Sequence, residues 1–271
     1  MISRMLRFAL GEQRSRAFFD FMLYHRDVVH IRYWSCTART LWYNLRKPHN
    51  NGHPPHKSHL YRELIETFIK RSYSFIPIKA VLENQPEPDK ISIYLRHDCD
   101  IKPQNLEILC QIEQFYHLKS AIYLIVKNPV YKIEDFRNYL LDIRADGFEI
   151  GLHSVAWDEF SAEKQKQVFI YENRKFEEIF GFQASSFTFH GKGVEAKTNP
   201  HESRKAFLRL LPELEERYPK YYGLMVDLRQ KKVSIKISDS EGIPWPSSPI
   251  QVPLLYPGYY YCVLTHPCYW V

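Results

Sequence analysis

From residue 91 onward, short apolar runs alternate with longer segments whose apolar residues recur at helical spacing. Ile91-Ser-Ile-Tyr-Leu-Arg-His97 interleaves β-branched and aromatic residues and predicts a strand. Residues 103–117 then read as a helix, 120–126 as a buried strand and 133–145 as a second helix. The Asp146-Gly147 turn leads into a strand over 148–153. A long helix starts at Ser161, a good N-cap, and runs to Phe180, where Gly181 supplies the C′ residue. Residues 184–190 read as a strand, 201–217 as a helix and 222–226 as a strand, with short β segments near 232–238 and 259–265. Upstream, 58–71 predicts a helix with Ser58 as N-cap and Leu60, Leu64 and Phe68 as its apolar stripe. Repeated βα units of this size imply an α/β fold whose parallel sheet is closed, or nearly closed, into a barrel.

The front of the chain breaks that pattern. Residues 1–57 read as a basic, aromatic-rich helical extension and linker, and 58–271 as the barrel domain. Phe18, Phe19, Phe21, Tyr24, Tyr33, Trp34 and Trp42 crowd the extension and demand a surface to bury them. The linker carries His49, His53 and His56, with His59 just beyond, but its Pro and Gly make it too irregular to fix a metal geometry. Residues 1–60 hold ten Lys and Arg against three acids, within a net charge of +6 for the whole chain. Two accounts fit this excess: a solvated pair of surface helices, or attraction to an anionic surface such as lipid headgroups. No nucleic-acid motif accompanies the charge, so no nucleic-acid partner is expected. No apolar run is long enough to span a membrane, and the N-terminus makes a poor signal peptide. Five scattered cysteines without a CxxC pair point to a reducing compartment. The expected location is therefore cytoplasmic, with residues 1–57 as a peripheral contact at the inner membrane face. With 271 residues, 45% of them hydrophobic, the chain can bury a full core.

Strand after strand stops on a polar group. Asp98 and Asp100 close the first, flanked by Arg96 and His97; carboxylates at i and i+2 of an extended chain point the same way. His153 ends another, His190 the next, then Asp239 and finally His266. In a parallel barrel those ends converge on one face. Asp and His together suit zinc or a similar divalent ion with a position left open for water. A free carboxylate can then serve as base and an opposed His as acid, which is the inventory of metal-assisted hydrolysis.

The motifs Arg96-His-Asp-Cys-Asp100, Glu149-Ile-Gly-Leu-His153, Phe189-His-Gly191, Ser238-Asp-Ser240 and Leu264-Thr-His-Pro267, in that order, resemble the polysaccharide deacetylase family of the NodB-homology type. They are closest to its uncharacterised bacterial branch with an RHDVD first motif, a branch associated with surface-glycan biosynthesis. The resemblance covers roughly residues 60–271. It implies a distorted, seven-stranded (β/α) barrel, one divalent metal, most simply zinc, and hydrolysis of an N-acyl group, usually acetyl, from an amino sugar or glycan, lipid-linked substrates included. By position it implies Asp98 as general base, Asp100 and His153 as metal ligands, His266 as general acid and Asp239 as the residue that orients it. Arg96 and His97 flank the site as substrate-binding candidates, and Trp157, Trp245 and Trp270 are aromatics able to stack on a sugar, with core packing the better default for each.

The sequence departs from the family where a second metal-binding His is usual, four residues after His153; Trp157 stands there. His190 is the favoured replacement and Asp158 the alternative. Failing both, the barrel lacks efficient chemistry and binds a glycan or partner instead. The usual third motif is also replaced by Thr188-Phe-His-Gly-Lys-Gly193, leaving backbone N–H groups around Gly191 as oxyanion donors. A phosphoesterase reading ranks last, since no second carboxylate-rich ligand set is present. Oligomeric state is not legible.

Overall fold

The computed structural model describes residues 57–101, 103–128, 130–156, 161–190, 234–239 and 255–270, together with Arg209. The extension before residue 57, the helix and strand expected over 201–226, Trp157, Asp158, Gly191 and Trp245 lie outside the described residues.

The elements run α1 (Ser58–Lys70), β1 (Ser74–Phe75), α2 (Ile78–Glu83), β2 (Ile91–Cys99), α3 (Leu106–Phe115), β3 (Ala121–Leu124), α4 (Arg137–Ala145), β4 (Glu149–Ser154), α5 (Ala162–Phe180), β5 (Phe187–Phe189), β6 (Ser234–Ser238) and β7 (Tyr259–Thr265). Single 3-10 turns sit at Pro103–Asn105, Ile133–Phe136 and Pro267–Tyr269. Among the described residues, seven strands form one sheet in the order β5-β4-β3-β2-β7-β6, with β1 alongside the start of β2. Every pairing is parallel. This is an α/β architecture, and β2 is its centre: it holds β1 and β3 on one side and β7 on the other.

Strand periodicity splits β2 into two faces. Ile93 and Leu95 face an outer core with Tyr61, Leu64, Ile65 and Phe68 of α1 and Leu109 and Ile112 of α3. Tyr94 faces an inner core with Tyr123, Tyr260, Cys262 and Leu264, capped by Ile78 and Val81 of α2. A second outer core packs α4 and α5 on β3, β4 and β5. Arg96, Asp98 and Asp100 continue the inner face, so the chemistry stands above a plugged interior. Gly151 keeps that interior open enough for Tyr123: a Cβ there would lie 2.5 Å from Tyr123 Cε1 and 2.9 Å from the Ser186 carbonyl.

Several boundaries differ from expectation. α1 begins at Ser58 itself, with Lys57 in the N-cap place and no side-chain cap; its buried stripe keeps the expected Leu64 and Phe68 and adds Tyr61 and Ile65, while Leu60 is only partly buried. β1 and α2 arise in 74–83, where elements this short give no readable period. α5 behaves as its ends dictate: Ser161 Oγ accepts the Lys164 amide at 3.3 Å, and Gly181 takes φ +79°, the left-handed value glycine allows.

Candidate active site

Arg96 and Asp98, two apart on β2, lock together within the strand. Arg96 Nε donates to Asp98 Oδ1 at 2.8 Å and Nη2 to Oδ2 at 2.7 Å, both residues buried. The guanidinium lies over the Tyr123 ring at 5.3 Å. Burial works to raise the Asp98 carboxyl, but the Arg96 charge and the nearby His153 outweigh it and hold the group below the usual carboxylate range. Arg96 is buried, and its Nε and Nη2 are both engaged by Asp98. His97, the other flanking residue, is turned away from this group. Its side chain points to the outer face, as strand alternation requires, and is wholly buried. Its Nδ1 meets Thr265 Oγ1 at 2.5 Å and its Nε2 meets Glu113 Oε1 at 2.9 Å.

Asp100 sits just past β2, among three histidines. His153 Nε2 is 3.2 Å from Asp100 Oδ1 and 3.7 Å from Asp98 Oδ2. His190 Nε2 is 3.7 Å and His266 Nε2 3.8 Å from Asp100 Oδ2. The His153 and His190 rings meet edge to face, centroids 5.4 Å apart. β5 is three strands from β2 in the sheet, some 14 Å if flat at the usual spacing; the close approach of Asp100 and His190 reflects a sheet that curls its strand ends together. Burial pushes the Asp100 carboxyl up, while His190, His153 and His266 pull it down further, leaving it well below the usual range.

Two features of this group fit a divalent cation. Asp100 Oδ1 is buried and faces His153 Nε2 at 3.2 Å, with no well-formed hydrogen bond to satisfy it among the described residues. His153 Nδ1 lies 2.6 Å from Thr188 Oγ1, its register partner on β5; donation there leaves the Nε2 lone pair facing the carboxylates. Two imidazoles and a carboxylate are a donor set suited to zinc. The donors of Asp100, His153 and His190 are spread more widely than those of His97, Cys110 and Glu113, which among the described residues all lie within 4.8 Å of one another. That tighter group is a closed hydrogen-bond network. Glu113 already accepts from Tyr61, His97 and Ser120, and all three members are fully buried with no side open to water.

His266 follows β7 and faces Asp100. Its backbone N–H donates to both oxygens of Asp239 at 2.9 and 3.1 Å, and its Nδ1 to Asp239 Oδ1 at 2.7 Å. Trp270 Nε1 donates to the other oxygen at 2.7 Å. Burial opposes the imidazolium, but the Asp239 charge and its hydrogen bond prevail, and His266 is pushed up to about 9. Trp270 is wholly buried against Tyr61. It anchors Asp239 and packs in the core, the default expected of it, so it is not placed to stack on a sugar.

Thr188 and Asn128 are site residues to which the motif reading gave no role. Asn128 Nδ2 donates to the Asp100 carbonyl at 2.6 Å, and Tyr131 Oη to the Cys99 carbonyl at 2.7 Å, so the loop after β3 fixes the turn carrying Asp100. Thr188 alone had a signal: it stands two before His190 on a strand, hence on the same face. Asn128 acts across the fold.

No family model matches the sequence, and no curated protein matches it. Among solved structures, the chain is similar to the catalytic domain of the peptidoglycan N-acetylglucosamine deacetylase from Eubacterium rectale, at 18% identity and a TM-score of 0.44, over 68% of this chain and 80% of that one. A likeness of that size leaves fold and activity to be argued from this chain's own residues.

Proposed function

We propose that the chain is a metal-dependent hydrolase that removes an N-acyl group, most simply acetyl, from an amino sugar or glycan. One observation carries this: Asp98, Asp100, His153, His190 and His266 meet at the C-terminal ends of β2, β4, β5 and β7, with the ring nitrogens of three histidines turned towards the Asp100 carboxylate. The motif resemblance supplies the substrate class. Asp100, His153 and His190 would hold the cation, which when bound polarises the acyl carbonyl and lowers the pKa of nearby water. Asp98, kept ionised by Arg96, takes a proton from the attacking water, whose oxygen bonds to the acyl carbon. His266, kept protonated by Asp239, gives its proton to the nitrogen as the C–N bond breaks. The products are a carboxylate and an amine, and solvent exchange returns Asp98 and His266 to their starting states.

Metal content and amine release from N-acetylated oligosaccharides test the reading together. Wild-type protein is expected to retain about one divalent ion per chain, as a mononuclear site requires, and to release amine. Asp100→Ala and His153→Ala should lose both properties. Unchanged metal content in those variants sinks the assignment. Liposome co-sedimentation with and without residues 1–50 tests the peripheral contact.

A further inference from the structure

One buried carboxylate has no part in that chemistry yet touches the segment that carries it. Glu172 sits on the apolar stripe of α5, at helical spacing from Phe169, Phe176 and Phe180, and is 1% exposed. A carboxylate in such a place is costly unless its oxygens are matched by donors. The donors here come from the end of β4, immediately after His153. Ser154 Oγ donates to Glu172 Oε2 at 2.6 Å, and the Val155 amide to Oε1 at 3.1 Å. Ser154 Oγ also accepts the Ala156 amide at 3.1 Å. The Ser154 carbonyl accepts the His190 amide at 2.9 Å. The same short segment is thus bonded to Glu172 through its side chain and amide, follows His153 directly, and holds the backbone of His190.

α5 is also the helix that joins β4 to β5. A carboxylate on that helix fixes the end of the first strand, and through Ser154 the end of the second. We infer that Glu172 is a positioning residue: it sets the spacing between His153 and His190 so that both face the Asp100 carboxylate. The inference rests on the metal-site reading above, and deepens it. A pair of ligands on one strand or helix turn is spaced by the backbone itself. His153 and His190 are on different strands, and their spacing needs a tertiary brace.

Cobalt(II) titration of the metal-free full chain, followed by visible absorption, tests this without any substrate. Glu172→Gln keeps the volume but removes the charge and replaces one acceptor oxygen with an NH2 group, so the Ser154 hydroxyl and the Val155 amide can no longer each donate to an oxygen of their own. It is expected to weaken cobalt binding about 10-fold or more, the size seen when outer partners of metal ligands are changed, and to shift the bound-cobalt spectrum. Ser154→Ala removes one of the two bonds and should weaken binding less, in the same direction; it stands in if Glu172→Gln does not fold. Val168→Ala, a packing change on the same helix, should lower the melting temperature and leave cobalt affinity within twofold. Cobalt affinity that stays within twofold in the folded Glu172 and Ser154 variants, or that follows melting temperature across all three, overturns the brace. A wild-type chain that takes up no cobalt overturns the metal-site reading itself, and the brace with it.

Discussion

Asp239→Asn separates the charge beside His266 from the shape of the cradle around it. Burial alone would drive His266 towards the neutral form; the Asp239 charge first, then its hydrogen bond, then Asp100 and Asp98 reverse that and carry the ring from 6.5 to about 9. That difference corresponds to about 3 kcal/mol in favour of the imidazolium. Asn keeps one acceptor oxygen but sets an NH2 group against either the His266 N–H groups or Trp270 Nε1. With that charge gone, burial is opposed only by Asp100 and Asp98, and the ring should titrate well below its wild-type midpoint. NMR titration of the His266 ring in metal-free protein reads this directly, with a midpoint near 9 in the wild type. The linkage has a definite sign: a raised pKa adds stability in full below 6.5, lost as pH rises towards 9. Wild-type unfolding free energy should therefore fall by about 3 kcal/mol across that window on account of this group, and that slope should be weaker in the variant. A variant midpoint still near 9 would refute the role assigned to Asp239.

Three further outcomes follow from packing and pairing. Gly151→Ala places a methyl inside the Tyr123 ring's contact distance and should cost about 1–3 kcal/mol in denaturant unfolding, the range for overpacked cores. Arg96→Gln leaves Asp98 buried without its cation. Unfolding free energy at pH 7 should drop by about 3–5 kcal/mol, and activity should fail at a higher pH on the acid side, because the base is ionised only above its pKa and Arg96 is what depresses it. His97→Ala should cost about 1–3 kcal/mol of stability by stripping a partner from buried Glu113, while KM in the remaining folded protein stays unchanged; a large KM effect would return His97 to the substrate side.

Local pattern and tertiary role were unequally legible. β7 and the capped ends of α5 carry their own signals, an alternating aromatic run in one and Ser161 with Gly181 in the other, and the structure puts both where they were expected. The grouping of Asp98, Asp100, His153, His190 and His266 followed from one idea, that parallel strands present their C-terminal ends together. His97 was misread by proximity: adjacent in sequence to Asp98, it lies on the opposite face. Trp270 was legible only as a core residue, since an indole says nothing of whether its N–H meets a carboxylate or a sugar. Asn128 and Glu172 carried no signal, because each acts on a backbone or side chain that only the folded sheet brings near.

The pairing of β2 with β7 joins His97 to Thr265, 168 positions apart. The strands bearing the base and the cation ligands are built from neighbouring βα units, which can dock as they are made. The acid and its anchor belong to the last stretch of chain, and until β7 arrives β2 presents a bare row of N–H and C=O groups. Long-range parallel closure of this kind is slow. On the proposed assignment, a chain under synthesis passes through a stage that has assembled the residues for the cation but not the proton donor opposite them, so capacity to bind would precede capacity to turn over. The same open edge is where a stalled or truncated chain would pair with another copy of itself.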